Sequence, residues 1–139
     1  MPSQQDVIVV GAGNAGACAA LSAAEQGARV LVLERAPEDQ RGGNTAFAEG
    51  GFRMAHNGLE DIRKIVPDLS DEEINAIDFE PYTCRQYLDD LVRLTNGQLD
   101  RGLTELYVRQ SAETVAWIRQ KGITFQTKYH RQPVMAGKR

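Results

Sequence analysis

The sequence is short of the residues that mark special classes of protein. It has two cysteines, two histidines, one tryptophan and only 6% aromatics in 139 residues. Cys18 and Cys84 are far apart and lack metal-like spacing, so both read as reduced thiols. Nothing near Cys84 would lower its pKa, and inert packing is expected of it. His56 and His130 fall in no ligand or triad pattern. Both read as surface or loop histidines, and no metal is expected. No apolar run approaches the ~18 residues of a membrane span. Met1 to Asp6 is polar and lacks the regions of a secretory signal, so a cytoplasmic location is expected. Neither charge dominates: 16 basic and 19 acidic residues leave a net charge of −3. A nucleic-acid binder would show a positive excess. Repeats and low-complexity tracts are absent. What remains, 42% apolar and 25% charged, is the balance of an ordinary globular domain. The length suits one domain.

The informative residues lie in the first fifty. Val7-Ile8-Val9-Val10 is apolar on both faces, as a central parallel strand should be. Gly11-Ala12-Gly13-Asn14-Ala15-Gly16 follows, then an Ala/Leu-rich helix from Ala17 to Gln26, stopped by Gly27. Ala28 to Leu33 reads as a second strand, closed by Glu34. The order is strand, G-x-G-x-x-G, helix, strand, acid, with Glu34 18 residues after Gly16. Gly11 permits the tight turn, Gly13 lets a pyrophosphate approach the backbone, and Gly16 lets the helix pack on the sheet. First-turn amides and the helix dipole favour phosphate charge. Glu34 can accept hydrogen bonds from ribose hydroxyls and would repel a 2′-phosphate, which disfavours NADP. The competing reading is a glycine-rich turn in an unrelated α/β protein. Strand, helix and acid all standing where the fingerprint requires them argues against it.

The fingerprint alone leaves FAD and NAD open. Next comes Gly42-Gly43-Asn44-Thr45-Ala46-Phe47-Ala48-Glu49-Gly50-Gly51. Two glycine pairs bracket small and polar residues, a stretch able to lay backbone against a flat ligand. Taken alone it would be a flexible loop. Together the two segments resemble the fumarate reductase and succinate dehydrogenase flavoprotein family. That resemblance implies FAD, with the fingerprint and acid on its ADP half and the G-G-N-T-x-x-A-x-G-G segment around the rest. The implied cofactor-binding residues are Gly11, Ala12, Gly13, Asn14, Ala15, Gly16, Glu34, Arg35, Gly42, Gly43, Asn44, Thr45, Ala48, Glu49, Gly50 and Gly51. Some family members hold the flavin covalently through a histidine near the position of Asn44. Asparagine cannot form that bond, so non-covalent FAD is expected.

Residues 56–139 read as mainly helical. A short helix is expected over Asp71 to Ile77, with Ser70 and Glu73 as a capping box and the acidic run Asp68 to Glu73 as its solvated start. Another spans Thr83 to Leu94, ending before Asn96-Gly97. A long helix from Arg101 to Lys121 shows one face of Leu103, Leu106, Tyr107, Ser111, Thr114, Val115 and Ile118. Gly122 stops it, and Ile123-Thr124-Phe125 begins a strand. Trp117, Tyr107 and Phe125 read as core rather than as a flavin-stacking cluster. Trp117 to Phe125 also resembles a W-I-x-x-x-G turn of the family. Asp89 to Thr95 is most similar to the tricarballylate dehydrogenase branch, some of whose relatives are named precorrin-3B synthase flavoproteins.

The fold expected is therefore α/β. Residues 1–139 would form the N-terminal portion of one Rossmann-like FAD-binding domain, with βαβ and the glycine-rich segment over 5–55. By resemblance, whole family members are about three times longer, and their capping domain and acid-base arginine have no counterpart here. Two clear strands are too few for a doubly wound sheet, and no catalytic residue is expected within this chain. The implied function is an FAD-dependent oxidoreductase dehydrogenating or reducing a polycarboxylate such as tricarballylate, with this chain supplying FAD binding. The alternatives are a non-catalytic FAD- or ADP-binding fragment and a precorrin-ring oxidising flavoprotein. An electron-acceptor protein and a homo-oligomer are open as partners.

Overall fold

The computed structural model describes residues 4–127. The chain divides into two units, Met1–Gly51 and Phe52–Arg139. No helix among the described residues is long and apolar enough to cross a membrane.

The first unit is built on a run of β-branched residues. Strand β1, Val7–Val10, pairs in parallel with β2, Val30–Leu33, Val7 opposite Val30 and Val10 opposite Leu33. Helix α1, Asn14–Glu25, connects them and packs on both. Val7 and Val9 are half-buried, while Ile8 and Val10 on the opposite face are exposed, Val10 to 83%. The strand starts are clamped together: Arg29 donates from its backbone N–H, Nε and Nη2 to Asp6, at 2.8–2.9 Å. β2 begins two residues later than the sequence pattern suggests. Ala28 N–H is turned back to the Ala23 carbonyl at the end of α1, and Arg29 belongs to the clamp. At the other end, α1 starts at Asn14, not Ala17, so Asn14, Ala15 and Gly16 are its first turn.

The second unit is helical: α2 Leu59–Ile65, α3 Asp71–Ala76, α4 Cys84–Leu94 and α5 Arg101–Gln120. The Ser70–Glu73 capping box forms at α3, a second one joins Thr83 and Gln86 at α4, and Asp100 caps α5. The core centres on Tyr87, Val108 and Ala55, with Tyr82 and Leu91 packed against it. Ser111, buried on α5, accepts from Ala55 N–H at 2.9 Å and donates to the Val108 carbonyl at 2.8 Å. Burial and the neighbouring Tyr107 hydroxyl, 2.9 Å away, push the Tyr87 phenol well above its ordinary pKa.

Several expectations for this unit need correction. α2 is missing from the sequence reading because it is short and has no side-chain cap. α5 buries Val108, Ser111 and Val115, whereas Leu103, Leu106, Tyr107 and Thr114 stay exposed. The apolar stripe is wider than the strip that α2 and α4 cover. Of the three aromatics read as core, Tyr107 is exposed and Trp117 and Phe125 are half-buried; the buried aromatic is Tyr87. Ile123 to Phe125 forms no strand: no described strand lies alongside to take its backbone hydrogen bonds, and Phe125 sets its ring edge-on to Phe52 at 5.4 Å. Cys84 is exposed at the start of α4 instead of packed. His56 is half-buried, bridges Tyr82 in antiparallel fashion, and its Nδ1 accepts from Gly58 N–H at 3.2 Å. His130 lies outside the described residues. No group of metal-ligating side chains occurs among the described residues.

Candidate nucleotide site

The candidate site gathers in the first unit, where β1 runs into α1. Gly11 turns the chain with φ 101°, a left-handed conformation that favours glycine, and its N–H donates to the Leu33 carbonyl at 2.7 Å. That bond ties the loop to the end of β2, next to Glu34. Gly16 lies so close to Gly11 that a Cβ there would overlap the Gly11 carbonyl oxygen, with Val9 Cγ1 at 3.5 Å. Close helix–strand packing thus requires this glycine. Gly13 also makes room within the fold. The place of its missing Cβ is 3.3 Å from both the Gly42 carbonyl and Thr45 Oγ1. The absent side chain lets the second glycine segment close onto the first.

The residue just before α1 is Gly13, which has no side chain with which to cap the helix, and no acidic residue stands in the first turn. The first amides of a helix have no partner within the helix. One is answered from a distance: Asn14 N–H donates to Thr45 Oγ1 at 3.0 Å. Gly13 can offer nothing to Ala15 and Gly16.

Glu34 reaches back to the loop. Its Oε2 accepts from Ala12 N–H and its Oε1 from Ala36 N–H, each at 2.8 Å. The Ala36 and Ala12 amides hold the carboxyl below the usual glutamate range, desolvation opposes them, and Arg35 adds to the lowering through its backbone and its charge. The group is ionised at neutral pH. A carboxylate oxygen has more than one acceptor site, so Glu34 keeps capacity for ligand hydroxyls. Ala36 is a site residue that the sequence reading missed. Its only signal was its place two residues after the acid.

The second segment is a short 3-10 turn, Gly43–Phe47, entered through Gly42 with φ 100°. Thr45 N–H donates to the Gly42 carbonyl at 3.1 Å. The chain then turns through Glu49 and Gly50, both at positive φ. The structure therefore brings together Gly11, Ala12, Gly13, Asn14, Gly16, Glu34, Gly42 and Thr45. Ala15 follows in the same helical turn, and Arg35 is exposed beside Glu34. Gly43, Asn44, Ala48, Glu49, Gly50 and Gly51 are exposed along the second segment.

These residues fit the ADP half of a dinucleotide. The start of α1 has no cap of its own and offers N–H groups and positive dipole to phosphate charge, and an ionised acid stands at the end of β2.

Comparison with known proteins agrees with this geometry. A family profile described as FAD binding domain matches residues 6–138. The chain is 31% identical over 126 residues to the vinyl phenol reductase of Lactiplantibacillus plantarum, covering 87% of this chain and 21% of that protein. It is 29% identical over 123 residues to the digoxin reductase of Eggerthella lenta, covering 88% and 20%. It is 30% identical over 122 residues to the NADH:fumarate oxidoreductase of Klebsiella pneumoniae, covering 88% and 11%. The chain thus spans about a fifth or less of the length of these relatives.

Proposed function

The chain belongs to the FAD-binding domain family of fumarate reductase-like flavoproteins, with FAD as its cofactor, and from that premise we propose that it holds the ADP half of FAD for a longer oxidoreductase. The observation that carries this reading is the start of α1, where the glycine loop, the Glu34 carboxylate and the Thr45 hydroxyl meet. Bound flavin supplies hydride transfer to or from a substrate carbon. The residues of this chain bind and orient. The first-turn amides of α1 face pyrophosphate charge. Glu34, kept ionised by the Ala12 and Ala36 amides, accepts from ribose hydroxyls. Asn44 offers no atom for a covalent flavin link, so the cofactor is held by non-covalent contacts alone.

The substrate of the whole protein is a polycarboxylate, of which tricarballylate is an example, reduced or dehydrogenated at a carbon–carbon bond. Similarity to an enzyme named for fumarate, a dicarboxylate, supports this choice. Similarity to reductases named for vinyl phenol and digoxin favours a second class, an uncharged substrate. In either reading the residues of this chain bind the cofactor, and none of them is assigned an acid-base role.

The test is a visible absorption spectrum of the purified chain given FAD, before and after acid precipitation. A flavin band released to the supernatant is the expected result. Colour retained in the pellet would refute non-covalent binding, and no uptake would refute cofactor binding by this chain.

A further inference from the structure

We propose that Asn57-Gly58 is a self-modifying site, where the His56 imidazole acts as the base that turns the Gly58 amide onto the Asn57 side chain and converts it to aspartate and isoaspartate. The chain holds two Asn-Gly pairs, Asn57-Gly58 and Asn96-Gly97. Both asparagines are exposed, and both glycines have positive φ, 105° and 75°. With no Cβ on the glycine, its nitrogen is open to close approach. The two pairs differ in what holds the proton on that nitrogen. Gly97 N–H donates to the Val92 carbonyl at 2.8 Å, at the end of α4. A carbonyl oxygen takes no proton at ordinary pH. Gly58 N–H donates to His56 Nδ1 at 3.2 Å. A ring nitrogen that accepts a hydrogen bond can go on to accept the proton, and the distance lies within the reach of about 2.6–3.2 Å that a general base needs.

The fold keeps this base in place and in its basic form. The His56 backbone is pinned by Tyr82: its N–H donates to the Tyr82 carbonyl and its carbonyl accepts from Tyr82 N–H, each at 2.9 Å. With Nδ1 accepting, the neutral ring carries its proton on Nε2. Burial favours that neutral ring, with the Asp61 charge opposing. Tyr82, its ring centroid 6.4 Å away, is the other titratable side chain beside the imidazole. Asn57 is held at the entrance to α2, its backbone N–H and its Nδ2 donating to Asp61 Oδ2 at 2.9 and 3.2 Å. In the reaction Gly58 N bonds to Asn57 Cγ while its proton passes to His56 Nδ1. The Cγ–Nδ2 bond breaks, and the nitrogen leaves as ammonia with the proton returned by the imidazolium. Water then opens the succinimide ring at either carbonyl, giving aspartate or isoaspartate, and no co-reactant besides water is needed. The new carboxylate repels Asp61 where the amide had donated to it, so the change loosens the start of α2.

The test incubates the 139-residue chain at neutral pH and follows both pairs by peptide mass spectrometry, with Asn96 as the internal control. Asn57 should convert about tenfold faster than Asn96, short of the roughly hundredfold of a fully placed base because the Asp61 hold on Nδ2 must first be released. In urea the difference should vanish. His56→Gln keeps an acceptor for Gly58 N–H but takes no proton, so the Asn57 rate should fall to that of Asn96 while Asn96 stays unchanged. In the unaltered chain the Asn57 rate should rise through the His56 titration and then level off, whereas the Asn96 rate keeps climbing with pH. Conversion of Asn57 no faster than Asn96, an excess that persists in urea, or an unchanged Asn57 rate in the glutamine variant would each overturn the proposal. Should that variant unfold, both pairs would speed up together, and the pH profile of the unaltered chain decides: an Asn57 rate that climbs in parallel with Asn96 would refute the role of the imidazole.

Discussion

Gly16→Ala should loosen the site from within the first turn of α1. The new Cβ would overlap the Gly11 carbonyl oxygen, stand 2.9 Å from the carbonyl carbon and touch Val9 Cγ1 at 3.5 Å. The loop cannot give way easily, because Gly11 already has φ 101° and its N–H is held by the Leu33 carbonyl at 2.7 Å. The helix must therefore move off β1 and draw Asn14 away from Thr45. Overpacking of this kind costs about 1–3 kcal/mol. Alanine in place of helical glycine returns roughly 0.5–1 kcal/mol. The net expectation is a loss of about 1–2 kcal/mol in the first unit. Gly102→Ala in α5 is the control. Its Cβ would meet only Asp100 Oδ1 at 3.6 Å, an ordinary contact, so the propensity gain of up to about 1 kcal/mol stands alone. Native-state amide exchange reads the two units separately. Protection of Gly11 N–H should fall in the first variant, and protection along α5 should rise in the second. If both substitutions shifted stability in the same direction, or Gly16→Ala left Gly11 protection intact, the packing argument would be wrong.

Other consequences follow from single contacts. Ser111→Ala leaves the buried Ala55 N–H without its acceptor and should destabilise the second unit by about 1–3 kcal/mol, seen as a lower thermal midpoint; an unchanged midpoint would refute it. Glu34 should titrate below the ordinary glutamate value, because the Ala36 and Ala12 amides favour its ionised form. Its contribution to stability is then present above the unfolded pKa and lost as pH falls through the lower folded one; a carboxyl NMR titration with an ordinary or raised midpoint would contradict this. His56 has its pKa lowered chiefly by burial, with Asp61 opposing. Its folded form favours the neutral ring, so this contribution fades as pH drops below the unfolded histidine value, and the imidazole NMR midpoint should lie below that of a free histidine.

Much of the first unit was legible because its signals are local. Four β-branched residues, a glycine loop, an alanine-rich run and a second apolar run follow one another without gaps, and each element pairs with its sequence neighbour. Gly27 and Gly122 marked helix ends through their positive φ. Ser70 and Glu73 marked a helix start three residues apart. The candidate site was legible as a set of residues, each read as facing a ligand. Their mutual arrangement was not. The meeting of Glu34 with Ala12 spans 22 residues and that of Thr45 with Asn14 spans 31, and nothing in the spacing declares either.

The order strand, loop, helix, strand and acid, and with it the chemistry of a nucleotide site, was determined by the sequence itself, because backbone conformation and capping depend on neighbours within a few residues. Only the tertiary structure decided which strip of α5 is buried, that Tyr87 rather than Trp117 fills the core, that Ile123 to Phe125 finds no strand partner, and that Gly13 makes room for Thr45. Those outcomes depend on which distant surfaces come together, and burial, unlike a turn or a cap, is settled by the element that arrives on the other side.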